Sequence, residues 1–236
     1  RSVHRVGVAV GVGGAEDRER RGERDGFVID LFGTLERAPR LGEVVGRDGV
    51  RGAFEEGRRC YAKAQTQFAV LQMLPQVGFA LRQGARLNRQ IGDYQQAKAL
   101  VQSAETLWTT LMQPVELLKV RLEKIALALA EQESQTAYTD LMRWFATPPD
   151  PEREPGLFTH YNLLLAETHE QQWHLTPSKT YFSAAWQAYT AALQTGKLHA
   201  DPQSQRHALI GLGRLAYASD LSLARTHWEQ ALVHDE

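Results

Sequence analysis

Arg82, Arg86 and Arg89 recur at steps of four and three, a spacing that sets three guanidinium groups on one face of a helix. Guanidinium forks hold carboxylates through paired hydrogen bonds, so such a face suits an acidic segment or a chain terminus. Side chains able to break bonds are harder to find. Cys60 follows Arg58 and Arg59, neighbours that lower a thiol pKa, yet a half-buried structural thiol is the simpler reading. His169 and His174 stand five residues apart, so on a helix they point about 140° from each other and do not share a metal ion. They read as a helix end and a solvated turn. The other histidines are scattered, and neither a metal nor a cofactor is expected.

Three stretches come near known catalytic motifs and fall short. "HEQQWH" nearly spells the zinc-protease signature, with one residue too many between its histidines. "VIDLFGTL" resembles the first motif of haloacid-dehalogenase-like hydrolases, with Asp30 as nucleophile and Gly33 and Thr34 in the loop. That chemistry needs a parallel sheet that brings a lysine and further acids to the same strand ends. No lysine precedes Lys63, the later chain is helical, and position 32 holds Phe where a second Asp belongs. In "VAVGVGGAE" a dinucleotide loop would need glycine at position 16, which is Glu, and a phosphate loop would need Gly-Lys-Ser/Thr. These readings make a non-enzymatic protein the expectation.

The composition, 43% apolar and 23% charged over 236 residues, is that of an ordinary soluble chain. A net charge of −1 gives no reason to expect nucleic acid or an anionic membrane as partner. The single cysteine cannot form an internal disulfide, which suits a reducing compartment and a cytoplasmic location. The apolar run from Val6 to Ala15 is too short to span a bilayer and carries no clean cleavage site. Because the chain begins with Arg, a fragment or processed product is expected. Its first 59 residues hold 12 of the 19 glycines and none of the lysines, glutamines or tryptophans. They read as a Gly/Arg-rich, mobile extension, and residues 60–236 as one helical domain. A small α/β cap and a start site placed too early are the alternatives for residues 1–59.

In "RQIGDYQQAKALVQSAETLW", Gly92-Asp93 makes a turn, Asp93 caps a helix, and Tyr94, Ala97, Val101, Ala104 and Trp108 follow on one face. The pattern returns at Ala137, Leu141 and Trp144, at Ala185, Tyr189 and Ala192, and at Ala224, Trp228 and Ala231. Pro75, Pro114, Pro155 and Pro202 each stand at the start of a preceding helical pattern, where a missing N–H costs nothing. Two markers thus agree on a helix–turn–helix unit of about 40 residues. "ATPPDPEREPG" and "QQWHLTPS" lengthen the third unit, with Thr176-Pro177 expected to cap its second helix. A hairpin of this kind cannot bury its apolar face alone, so several must stack.

"GDYQQAKALVQSA" and "ALIGLGRLAYASDLSLARTHWEQAL" resemble the tetratricopeptide repeat family, with Gly213 at a small first-helix position. The resemblance covers roughly residues 60–234, and the long period is similar to the variant in sensor arms of large bacterial transcription regulators. It implies an all-α, right-handed superhelix of about four hairpins, preceded by a helix around Arg58 to Met73. It also implies a concave groove lined by Phe79, Arg82, Arg86, Arg89 and Gln90, with Lys119, His207 and Arg214 in comparable positions of later repeats. The function implied is regulatory protein–protein interaction without catalysis. The partner would be a protein or peptide with an acidic segment or a C-terminal carboxylate, not nucleic acid or membrane. Pairing of solenoids through their ends stays open. The rival reading is the sensor or partner-binding arm of a bacterial transcription regulator that responds to a small effector or a protein.

Overall fold

A computed structural model describes residues 47–233. The extension expected over residues 1–59 therefore lies mostly outside the described residues, as do the glycine-rich and Asp30 motifs. All regular structure among the described residues is helical. The helices are α1 (Arg47–Val70), α2 (Leu74–Gln90), α3 (Tyr94–Thr110), α4 (Pro114–Ala130), α5 (Ser134–Trp144), α6 (Pro155–Leu175), α7 (Lys179–Leu198), α8 (Pro202–Tyr217) and α9 (Leu221–Leu232). The helix expected from Arg58 to Met73 thus starts at Arg47 and runs across Gly49, Gly52 and Gly57. Each of those glycines weakens a helix by only about 1 kcal/mol. The chain divides into two units between Ala64 and Gln65, inside α1, and the candidate site belongs to the second.

Each of α2, α4, α6 and α8 has a proline at its first or second position, as the spacing of the four prolines predicts. Their partners α3, α5, α7 and α9 begin at the four turns. Asp93 accepts a hydrogen bond from the Gln96 amide, and Asp220 does the same for Leu223. The third hairpin departs from expectation. Thr176 closes α6, Pro177 stays outside, and Ser178 caps α7 by accepting from Thr180 N. Proline suits a first turn, but the extended φ and ψ of Ser178 (−143° and 137°) delay the helix by two residues.

A finer period than 40 governs the turns. Gln72, Gly92, Met112 and Gln132 all have positive φ, at 57°, 83°, 50° and 63°. In each case the next amide bonds back to a carbonyl five residues earlier, as Gln113 N does to Trp108 O and Glu133 N to Ala128 O. One left-handed residue with that bond ends a helix and reverses the chain. The first five helices are therefore joined by four copies of one three-residue turn. Only Gly92 adopts its φ without steric cost.

From α2 to α9 the helices stack in chain order, each on its neighbour, as an all-α helical repeat solenoid. Leading helices also touch one another, α2 with α4, α4 with α6 and α6 with α8. Successive trailing helices stand further apart among the described residues, meeting only through long side chains such as Trp186 of α7 and His227 of α9, whose ring centres are 5.9 Å apart. A stack whose leading helices crowd while its trailing helices splay must curve, with the leading row inside. Alanines at the crossings permit the close approach: Ala97, Ala137, Ala185 and Ala224 are all buried. Aromatic rings fill the space beside them. Trp108 of α3 covers Gly78 of α2, and Trp228 of α9 covers Gly213 of α8. A third aromatic, Tyr189 of α7, lies on Gly211 of the following hairpin and is fully buried.

Candidate partner-binding face

All eight residues expected to line the groove sit on the inner row: Phe79, Arg82, Arg86, Arg89 and Gln90 on α2, Lys119 on α4, and His207 and Arg214 on α8. Their surroundings separate them into two groups. Arg89 donates from Nε to Glu123 Oε1 at 2.6 Å, which joins α2 to α4. Lys119 donates to Glu116 at 2.6 Å within its own helix. His207 Nε2 lies 2.6 Å from Glu167 Oε1, and Arg214 makes two 2.7 Å bonds to the Glu170 carboxylate, so α8 is doubly tied to α6. Tyr189 from the outer row completes this last group, donating to Glu170 at 2.6 Å and lying 3.0 Å from Arg214.

The electrostatics follow from those contacts. Burial alone would raise the Glu167 carboxyl, but the His207 bond and nearby cationic groups outweigh it and hold the carboxyl below its usual range. Arg214 becomes more basic through its bond to Glu170. Tyr189 becomes a weaker acid, first through burial and then through the carboxylates beside it. Arg89, His207 and Arg214 fix one inner helix against the next, whereas Lys119, bonded only within its own helix, keeps donors for a partner.

Arg82 and Arg86 are the other group. Neither makes an ion pair or hydrogen bond among the described residues. Burial lowers the basicity of Arg82, partly offset by Glu116 and Glu123, and its Nε is enclosed without an acceptor. Its guanidinium lies 5.7 Å from the centre of the Phe79 ring, which is 40% exposed. Arg86 is exposed one turn further along α2, and Gln90 is exposed at the end of the helix.

Two cavities open along α2, at Phe79 and at Arg82. One, of about 490 Å³, is lined by Pro75, Phe79, Trp108, Leu111, Gln113 and Glu116. The other, of about 510 Å³, runs from Arg82 and Lys119 across to Arg153, Glu154, the first turn of α6 and His160. The irregular segment between α5 and α6 builds that far wall. Asp150 accepts from the amides of Glu152 and Arg153 and folds the segment back, so that Arg153 and Glu154 reach the cavity. His160 is pushed down to about 3 by burial first, then by the charges of Arg86, Arg89 and Arg82, and it stays neutral at ordinary pH.

Sequence reasoning missed His160, Glu123, Glu167 and Glu170. A signal for the three acids was available, since each stands about one repeat before or after a basic residue of the opposite sign. The separations are 34, 40 and 44 residues. The histidines of "HEQQWH" are not at a helix end and in a solvated turn as read, because α6 continues through both to Leu175. His169 packs beside Tyr138 and Tyr181, while exposed His174 lies against Trp173. Cys60 is half-buried on α1. No helix among the described residues is long and apolar enough to cross a membrane.

No protein-family model matches this chain, and no curated protein matches its sequence. The functional reading must therefore rest on the inner face itself.

Proposed function

We propose that this chain is a non-enzymatic, tetratricopeptide-like scaffold of a bacterial cytoplasm that binds a peptide or partner protein along its inner face, in a regulatory role. The observation that supports this reading is the contrast on α2. Arg89 is held by Glu123, while Arg82 and Arg86 face the groove beside exposed Phe79 with no acidic residue bonded to them. An acidic segment would supply the missing carboxylates, and an apolar residue next to it would cover the Phe79 ring. The test is affinity capture from lysate with the wild type and a Phe79→Ala/Arg86→Glu variant of unchanged helicity. A protein held by the wild type and lost by the variant supports the reading. Equal retention by both contradicts the inner face as the binding surface.

A second reading is favoured by one observation. The 510 Å³ cavity has the size of a small-molecule site, which suits the effector-responsive arm of a transcription regulator.

A further inference from the structure

The seams between inner helices are not alike. Arg89–Glu123 bridges α2 and α4, and Glu167–His207 with Glu170–Arg214 bridges α6 and α8. Among the described residues no ion pair bridges α4 and α6. A neutral bond from Gln171 Nε2 to Leu129 O at 3.1 Å is what crosses there. The 510 Å³ cavity opens beside this seam, and cations meet across it: Arg82 from α2, Lys119 from α4 and Arg153 from the segment before α6. Lys119 and Arg153 have acidic neighbours, Glu116 at 2.6 Å and Asp150 at 3.6 Å, and Glu154 also lines the wall. Arg82 is bonded to none, although Glu116 and Glu123 stand close enough to support its charge, and its Nε is closed off from water. A guanidinium desolvated without a bonded carboxylate leaves donors for something anionic to fill.

Other donors surround the same space. The first-turn amides of Gly156 and Leu157 have no acceptor within α6, and Glu154 at the cap position makes no side-chain bond to them. Nothing lies within 4 Å of where a Cβ would stand on Gly156, so a ligand atom can approach that backbone closely. His160, neutral, adds one further donor or acceptor on the α6 wall.

We infer that the cavity between α2, α4 and α6 binds the phosphoryl group of a small organic phosphate, with Arg82 and Lys119 as its principal ligands. Tetrahedral phosphate oxygens accept from several directions at once, which matches donors arriving from a guanidinium, an ammonium and a helix start. A phosphate fills only part of 510 Å³, which leaves room for an organic moiety. The bound anion supplies the bridge that the α4–α6 seam lacks, so it stiffens the middle of the groove. This assignment rests on the effector reading above and is separable from the scaffold reading. The Phe79→Ala/Arg86→Glu variant alters neither Arg82 nor Lys119 and should still bind phosphate.

The test is titration calorimetry of the full chain with inorganic phosphate and pyrophosphate, at constant ionic strength in chloride, with succinate as the carboxylate counterpart. The expected result is saturable binding of phosphate or pyrophosphate at one site. Arg82→Gln should weaken it about tenfold or more, Lys119→Gln should weaken it less, and Arg143→Gln on α5 should leave it unchanged. The Lys119→Gln variant keeps the proposal testable should Arg82→Gln fail to fold. Absence of saturable binding overturns the proposal. So does binding that neither variant weakens, or succinate binding more tightly than either phosphate.

Discussion

Arg89 donates from its Nε to Glu123 Oε1 at 2.6 Å, and this bond fastens the first inner helix to the second. The Glu123 side chain is 5% exposed, so removing its partner leaves a carboxylate enclosed without a counter-charge. Arg89→Ala should lower stability by about 3 kcal/mol, read as a shift in the urea midpoint at constant slope. Arg89→Met/Glu123→Leu should recover most of that loss, because an apolar pair in the same space needs no solvation. A double variant as unstable as the single one would mean that the bond itself, not the stranded charge, carries the effect.

Gly78 lies beneath the Trp108 indole, and a Cβ built there would stand 2.5 Å from two ring carbons. Gly78→Ala should therefore cost about 1–3 kcal/mol by forcing the ring out of its site. Near-ultraviolet circular dichroism should lose tryptophan signal in the variant, whereas Gly156→Ala, in open space, should leave it unchanged.

Gln132 and Met112 occupy the left-handed position that Gly92 occupies in the turn between α2 and α3. Gln132→Gly should stabilise the chain by about 1 kcal/mol, since it removes a Cβ clash without altering the turn's bonds. Gly92→Gln should destabilise it by a similar amount. A thermal melt in which both variants move the midpoint the same way would contradict the reading of these turns as equivalent.

The pH dependence of stability should carry the mark of His160. Its ordinary pKa of 6.5 falls to about 3 in the folded chain, through burial and then Arg86, Arg89, Arg82 and His207. The unfolded imidazole takes up a proton as pH falls through 6.5, while the folded one stays neutral. Stability is thus whole above that value and declines as pH falls toward 3. Glu167 acts in the same sense at lower pH, because its depressed carboxyl loses its contribution as pH falls through the folded pKa. Between about pH 7 and pH 5, the melting temperature of His160→Gln should fall less than that of the wild type. Equal slopes would show that His160 is not held neutral.

The fold was legible because its markers are local. Four prolines, the small residue at each crossing and the Gly92-Asp93 turn each act through the backbone within one turn of a helix, and the structure places each as expected. The turn at Thr176-Pro177 misled because Thr and Ser both cap well, and the choice between them depends on φ and ψ that sequence does not state. The site was legible only in part. Periodicity put Arg82, Arg86 and Arg89 on one face, yet the face alone does not reveal which of them meets Glu123 on the next hairpin. His160 and the wall from Arg153 to Leu157 depend on how an irregular segment folds back, and irregular segments have no period to read.

The central claim is that a partner lies along the inner row, and site-specific photo-crosslinking tests it most directly. A photoreactive residue would replace Phe79 or Arg86 on α2, or exposed Gln102 on the outer helix α3. The account predicts adducts of one defined mass from positions 79 and 86 and none from position 102. Adducts from position 102 alone, or from no position, would contradict it.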